Sequence, residues 1–454
     1  MKALLIALSL VLGIGVSWSV PTYGAPAVLL CAALAVLAGI VIYQASQYRE
    51  FLLLIFISGL LVRMLVATLT FVFNLQDFFA SDTRVYDNFG YTLLRVWQGE
   101  LPYRYAASIF YEGSSYWGML YLVAAIYGVV GRNVLAVQFV NAVLGAATAP
   151  IIFLCAQHIF QNTRVARLSA FIVAFFPSLI LWSSQALKDA PIIFLLAVVM
   201  LATLKLGEKL SFKYFVVLVC GLLGILSLRF YIFYMVVAAV GGAFVIGMRS
   251  LTTQNFLRQF VVIIGVGLAM TYLGVLRGGS SQLERISNLE NVQLYRSALS
   301  SSAQSGFGAD VDVSTTSGAI RAVPVGLIYL WFAPFPWQLG NLRQSITLPE
   351  MLIWWSLFPL LVLGVWFTIK YRLRQALPIL LFTSMLTLAY AVYQGNVGTA
   401  YRQRAQLLVF YFIFVAVGIV LLKERSEDKK RMLAAPRLPA GRPAAQSHGI
   451  ARSI

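Results

Sequence analysis

The chain has 454 residues, of which 60% are hydrophobic and only 11% charged, with a mean hydropathy of +0.83 and a formal net charge of +18. A soluble protein carries about a quarter of its residues as charges, so an ordinary globular enzyme is excluded, and the long apolar runs predict an all-α polytopic membrane protein. The basic residues are dispersed between apolar runs without a nucleic-acid-binding motif, so topology accounts for the positive excess and no nucleic-acid partner is expected.

With ~20 apolar residues per span, the sequence predicts about twelve spans near residues 3–20, 26–44, 51–73, 134–158, 168–183, 190–206, 213–228, 231–247, 259–276, 351–369, 377–393 and 405–422. The first run follows Lys2 but lacks a small-residue cleavage site, so 1–46 reads as an uncleaved helical hairpin. A cytoplasmic amino terminus puts Arg49, Arg164, Arg167, Lys205, Lys209, Lys213, Arg249, Arg258, Lys370, Arg372 and Arg374 inside. Two long outer loops then remain, 74–133 and 277–350, with short ones at 184–189, near Arg229 and at 394–404. Within the first, Tyr91–Trp97 and Tyr116–Val130 are aromatic-rich and predict interfacial helices. In the second, 300–318 is rich in Ser, Gly and Thr, while 324–337, broken by Pro334 and Pro336, predicts a re-entrant or interfacial segment. Residues 1–423 thus form one transmembrane domain, and 424–454 read as a disordered basic cytoplasmic tail. Both termini are expected on the cytoplasmic face.

The chemistry sits where the few carboxylates gather. Asp77, Asp82, Asp87, Glu100 and Glu112 crowd the first outer loop, and eleven of the acids, with Asp189, Glu284, Glu290, Asp310, Asp312 and Glu350, fall outside on this topology. A carboxylate at Asp82 could deprotonate a hydroxyl beside a lipid-borne donor, or could cap the helix that follows. Asp189, after Phe175-Phe176-Pro177-Ser178 and Leu181-Trp182-Ser183-Ser184, could cap the helix that follows or assist the site by positioning an acceptor or a cation, with Lys188 either a phosphate ligand or a snorkelling anchor. Arg229, Arg402 and Arg404 are outer cations that the positive-inside bias does not demand, and guanidinium forks suit phosphate oxygens. The cysteines Cys31, Cys155 and Cys220 lie in separate apolar runs, and His158 and His448 are far apart, so neither a disulfide framework nor a histidine metal site is expected.

The first outer loop with Asp82, Tyr86 and Gly99, the Phe-Pro-Ser-Leu turn leading to Leu-Lys-Asp189, the Ala-Pro-Phe-Pro-Trp337 segment and the Gly-Asn-Val-Gly-Thr stretch before Arg402-Gln-Arg404 together resemble bacterial GT-C glycosyltransferases. The pattern is most similar to the branch that resembles dolichyl-phosphate-mannose-protein mannosyltransferases and aminoarabinose transferases, over roughly residues 50–425. The resemblance implies a polyprenyl-phosphate sugar donor, inverting transfer on the outer face to a cell-envelope glycan, lipid or protein, and an acidic general base in the first outer loop. Carried over residue by residue, it implies Asp82 as base with Asp87 second, Lys188, Arg229, Arg402 and Arg404 as donor-phosphate ligands, and Tyr86, Asp189 and Tyr401 in support. Many relatives have adjacent acids in this loop, whereas Thr83 follows Asp82 here, so metal dependence is not indicated, although Asp82 and Asp189 could share a divalent cation. Two alternatives stay open: a polysaccharide polymerase using lipid-linked glycans, and a non-enzymatic flippase, which would need polar residues within the spans.

Overall fold

The computed structural model describes residues 2–106, 116–247, 253–272, 275, 288–301, 306–308, 312–340 and 342–434. Glu112, Arg249, Glu284, Asp310, His448, parts of the 300–318 stretch and tail residues 435–454 lie outside the described residues. The described chain is helical, with one isolated bridge between Gly306 and Asn396. In order the helices are α1 (Lys2–Ser19), α2 (Gly24–Ala45), α3 (Arg49–Val72), α4 (Gln76–Phe79), α5 (Asp82–Trp97), α6 (Trp117–Val130), α7 (Val134–Phe160), α8 (Thr163–Phe175) and α9 (Pro177–Ser183). They continue as α10 (Asp189–Glu208), α11 (Phe212–Leu228), α12 (Phe230–Ile246), α13 (Thr253–Tyr272), α14 (Leu289–Ser301), α15 (Thr316–Phe332), α16 (Leu342–Tyr371), α17 (Leu373–Tyr393) and α18 (Val397–Ala434).

Each of the twelve predicted spans falls on a helix or a bent helix pair. Seven helices are long and apolar enough to cross a membrane, namely α2, α3, α7, α10, α16, α17 and α18, and α8 with α9 makes an eighth if that bent pair is one span. The remaining predicted spans correspond to shorter apolar helices, α1, α11, α12 and α13. Of the three segments expected at the interface, Tyr116–Val130 and 324–337 fall largely on short apolar helices, α6 and α15, while Tyr91–Trp97 forms the second half of α5. Central positions go to α7 and α18, which are buried along most of their length, whereas α2 leaves most of its surface free for lipid.

Proline sets the break that matters most. Pro177 has no N–H to offer the carbonyl of Val173, so α8 ends and α9 leaves at 55°. The freed carbonyls are met from α3, where Arg63 donates from Nη1 to the oxygen of Ala174 at 2.7 Å and from Nη2 to that of Val173 at 3.5 Å. Arg63 Nε also donates to Ser183 Oγ at 2.8 Å, fastening the end of α8 and the far end of α9 to one buried side chain. Gly145 of α7 permits this, because a Cβ there would stand 2.4 Å from the Ser183 Cβ and 3.0 Å from Arg63 Nε. Arg63 lies deep within α3, where one charge leaves the apolar character of the run unchanged.

Two boundaries differ from expectation. The sequence predicts a short loop at 394–404, but α18 begins at Val397, with Asn396 Oδ1 accepting from the Gly398 N–H at 2.8 Å. The basic run from Lys423 to Arg431, expected in a disordered tail, continues α18 to Ala434, and Arg164 of α8 pairs with Glu427 at 3.3 Å.

Candidate active site

Four segments remote in sequence converge on one charge network. Arg402, in the second turn of α18, donates from Nη1 to Asp82 Oδ2 at 2.8 Å and from Nε to Asp189 Oδ2 at 2.7 Å. The other oxygen of Asp189 accepts from Arg229 Nη2 at 3.0 Å. Asp189 has no exposed surface, whereas the side chain of Asp82 is 47% exposed. The buried carboxylate therefore holds two guanidinium groups in place, and the open one faces whatever enters.

The backbone explains how each group arrives. Asp82 is the first residue of α5, where the positive end of the helix dipole favours a carboxylate. Asp189 opens α10 after the irregular stretch Ser184 to Lys188, and α7 cradles that stretch. Asn141 Nδ2 donates to the carbonyls of Gln185 and Leu187, both at 2.7 Å, and Gln138 Nε2 donates to that of Ser184 at 3.2 Å. Arg229 is the single extended residue between α11 and α12, with φ −154° and ψ 98°. Gly118 lets α6 touch this corner, since a Cβ there would lie 2.1 Å from Ser227 Oγ.

Lys188 precedes Asp189, and its Nζ sits 4.8 Å from the centre of the Tyr116 ring. Burial first, and then the charge of Arg229, lower its pKa to about 7, against the opposing pull of Asp189. Tyr86, one helical turn beyond Asp82 and 3% exposed, packs edge-on against Tyr116 at 5.4 Å. Its hydroxyl is held well above the usual tyrosine range by burial, then by the nearby carboxylate of Asp82.

Asp87, Tyr401 and Arg404 go elsewhere. Asp87 lies about 140° around α5 from Asp82, and its carboxylate accepts from Tyr127 Oη at 2.7 Å and from Arg132 Nη2 at 2.6 Å. It braces α5 against the α6–α7 corner. Arg404 follows Arg402 by two residues, about 200° around α18, so the two face opposite sides. Arg404 donates to the carbonyls of Trp331 at 3.0 Å and Ala333 at 3.3 Å, closing the end of α15. Tyr401 donates to Glu350 Oε2 at 2.8 Å. Reading 394–404 as a loop concealed this division, because only a helix fixes opposite faces for neighbours two apart.

The capping readings of Asp82 and Asp189 give way to ion pairing, since the observed side-chain partners of both are arginines. A shared divalent cation fits poorly: both oxygens of Asp189 are occupied by guanidinium groups, and a cation would sit beside two arginines. Among the described residues no three of His, Cys, Asp or Glu come together as a metal site.

Fold and site together define an integral membrane protein of all-α type, whose helices converge on a half-open carboxylate backed by arginines. Residues 117–274, spanning α6 to α13, match the family described as dolichyl-phosphate-mannose-protein mannosyltransferase, of GT-C type. The matched stretch contains Lys188, Asp189 and Arg229, while Asp82 and Arg402 lie on either side of it. The match supports the GT-C likeness and membrane glycosyltransferase activity in general. No curated protein matches the chain.

Proposed function

We propose that the protein transfers a sugar from a polyprenyl-phosphate donor to a cell-envelope acceptor at the outer face of a bacterial inner membrane, with inversion at the anomeric carbon. The observation that carries this reading is the joining of an exposed carboxylate, Asp82, to two arginines through one buried carboxylate, Asp189. Asp82 takes the proton of the acceptor hydroxyl as its oxygen attacks the anomeric carbon. The glycosidic C–O bond breaks on the opposite side, and its electrons pass to the phosphate. Arg402, Arg229 and protonated Lys188 stabilise the charge that grows there. Asp189 keeps both guanidinium groups oriented before the donor arrives, so little reorganisation accompanies the step.

The test uses purified protein in lipid nanodiscs with a panel of synthetic polyprenyl-phosphate sugars, comparing the parent with Asp82→Asn and Arg402→Ala. Transfer or slow donor hydrolysis is expected from the parent. Loss of the base lowers it by roughly 10²–10⁴-fold in Asp82→Asn, with folding retained. Donor binding without turnover under every acceptor condition would overturn the transferase reading in favour of lipid-linked glycan transport.

A further inference from the structure

A run of tyrosine rings leads away from Arg229. Arg229 Nη1 lies 3.3 Å from the hydroxyl of Tyr231 at the start of α12. The Tyr231 ring lies 6.4 Å from that of Tyr393, at the end of α17, with planes 15° apart. Tyr393 in turn lies 5.4 Å from Tyr295 of α14. Tyr231 and Tyr393 are half-buried and Tyr295 is 46% exposed, so the run passes from the charge network to an open edge. Tyr295 is within electrostatic reach of both Arg229 and Asp82.

Tyrosines near headgroups commonly form a belt that faces lipid. These three instead converge from separate helices onto one another and onto the inner network. Their placement is firmly supported: Arg296, adjacent to Tyr295 and 1% exposed, donates to the carbonyl of Val392 at 3.2 Å and to that of Gly308 at 3.3 Å. That side chain pins α14 to the end of α17 and so sets Tyr295 against Tyr393.

We infer that Tyr231, Tyr393 and Tyr295 form a stacking platform for a pyranose ring, a subsite that rests on the transferase reading. One face of a pyranose presents C–H bonds polarised by neighbouring oxygens, and an aromatic face carries the negative end of its quadrupole. The two surfaces attract through many weak C–H contacts, while the sugar's hydroxyl edge meets the phenol groups. A prenyl chain would find this wall poorly matched, because each ring brings a hydroxyl and the wall ends on a guanidinium group. The platform holds the ring of either the acceptor or the donor sugar.

Saturation-transfer NMR on the full chain in nanodiscs tests this, with methyl mannopyranoside, methyl glucopyranoside and methyl galactopyranoside as probes, acyclic sorbitol as control and a short isoprenoid alcohol as competitor. Saturation is expected on one C–H face of at least one pyranoside and not on sorbitol. Tyr295→Ala and Tyr393→Ala should weaken binding about fivefold, the size of an aromatic contact near 1 kcal/mol, and Tyr295→Phe should retain it. Retention in the presence of a polyprenyl-phosphate sugar assigns the platform to the acceptor ring, and displacement assigns it to the donor ring. Asp82→Asn should keep the pyranoside signal, so the platform and the transferase chemistry fail separately. Equal signals in the parent and both alanine variants, no pyranoside signal at all, equal saturation of sorbitol, or displacement by the isoprenoid alcohol alone would overturn the inference.

Discussion

Asp189 accepts hydrogen bonds from two arginines while exposing no surface, so removing its charge leaves two guanidinium groups close together with one buried partner lost. Breaking a buried pair in this way costs about 3–5 kcal/mol. Asp189→Asn is therefore expected to lower the unfolding midpoint in detergent well below that of the parent, whereas Asp82→Asn, at a half-open carboxylate, should shift it little. Equal midpoints for Asp189→Asn and the parent would show that the buried carboxylate does not hold the site. Lys188 gives a pH signature. With its pKa lowered from 10.5 to about 7 by burial and Arg229, the side chain loses its proton in the folded chain as pH rises through about 7 and keeps it in the unfolded chain up to about 10.5. The unfolded state thus binds more protons between these limits, and stability rises with pH across that window. Donor affinity moves the opposite way, because phosphate prefers the charged amine. We expect kcat/KM for the donor to fall above pH 7 while the unfolding midpoint climbs, and Lys188→Gln to flatten both profiles.

The elements are held by arginines at their ends. Arg63 meets the carbonyls that end α8, Arg404 those that end α15, and Arg296 the Val392 carbonyl near the end of α17. Each lies where the last turn of a helix leaves carbonyls unpaired, and a cation there also suits the negative end of the dipole. Replacing Arg63 by Met strands the Ala174 carbonyl and frees Ser183, and should cost about 2–4 kcal/mol. Thermal unfolding in nanodiscs reads that loss, and a midpoint within error of the parent would count against the cap. Asn141→Leu tests the next link, since Asn141 grips two carbonyls of the stretch that delivers Lys188 and Asp189. It should lower kcat/KM by about 10²-fold with the far-ultraviolet circular dichroism unchanged.

Much of this was legible in the sequence, for physical reasons. Apolar run length located the helices, and outer cations beside scarce carboxylates located the Asp82, Lys188, Asp189, Arg229 and Arg402 group. The faces of α18 and the depth of Arg63 were hidden: a run such as Val397 to Arg404 lacks the apolar content that marks a span, and a single arginine in a long apolar run leaves the hydropathy signal intact. The partners of Asp87 were hidden too, because Arg132 and Tyr127 reach it only through the packing of α5 on α6.

At the scale of the molecule, residues 82, 189, 229 and 402 meet only when α5, α10, the α11–α12 corner and α18 have all docked. The amino-terminal hairpin belongs to that assembly, since the buried Asn133 side chain that caps α7 also donates to the Tyr23 carbonyl at 2.8 Å, and Cys31 of α2 lies 3.7 Å from the sulfur of Met64 in α3. The charge network should therefore report global folding rather than a local contact. A double-mutant cycle makes this measurable. Asp189→Asn leaves an excess positive charge and Arg402→Gln an excess negative one, so the double variant should be less destabilised than the sum of the singles. For groups in direct contact the coupling should be about 1–3 kcal/mol, read from unfolding midpoints in the same nanodiscs. Additive effects would mean that the two side chains do not share the folded state, and would dissolve the link between the half-open Asp82 and its buried anchor.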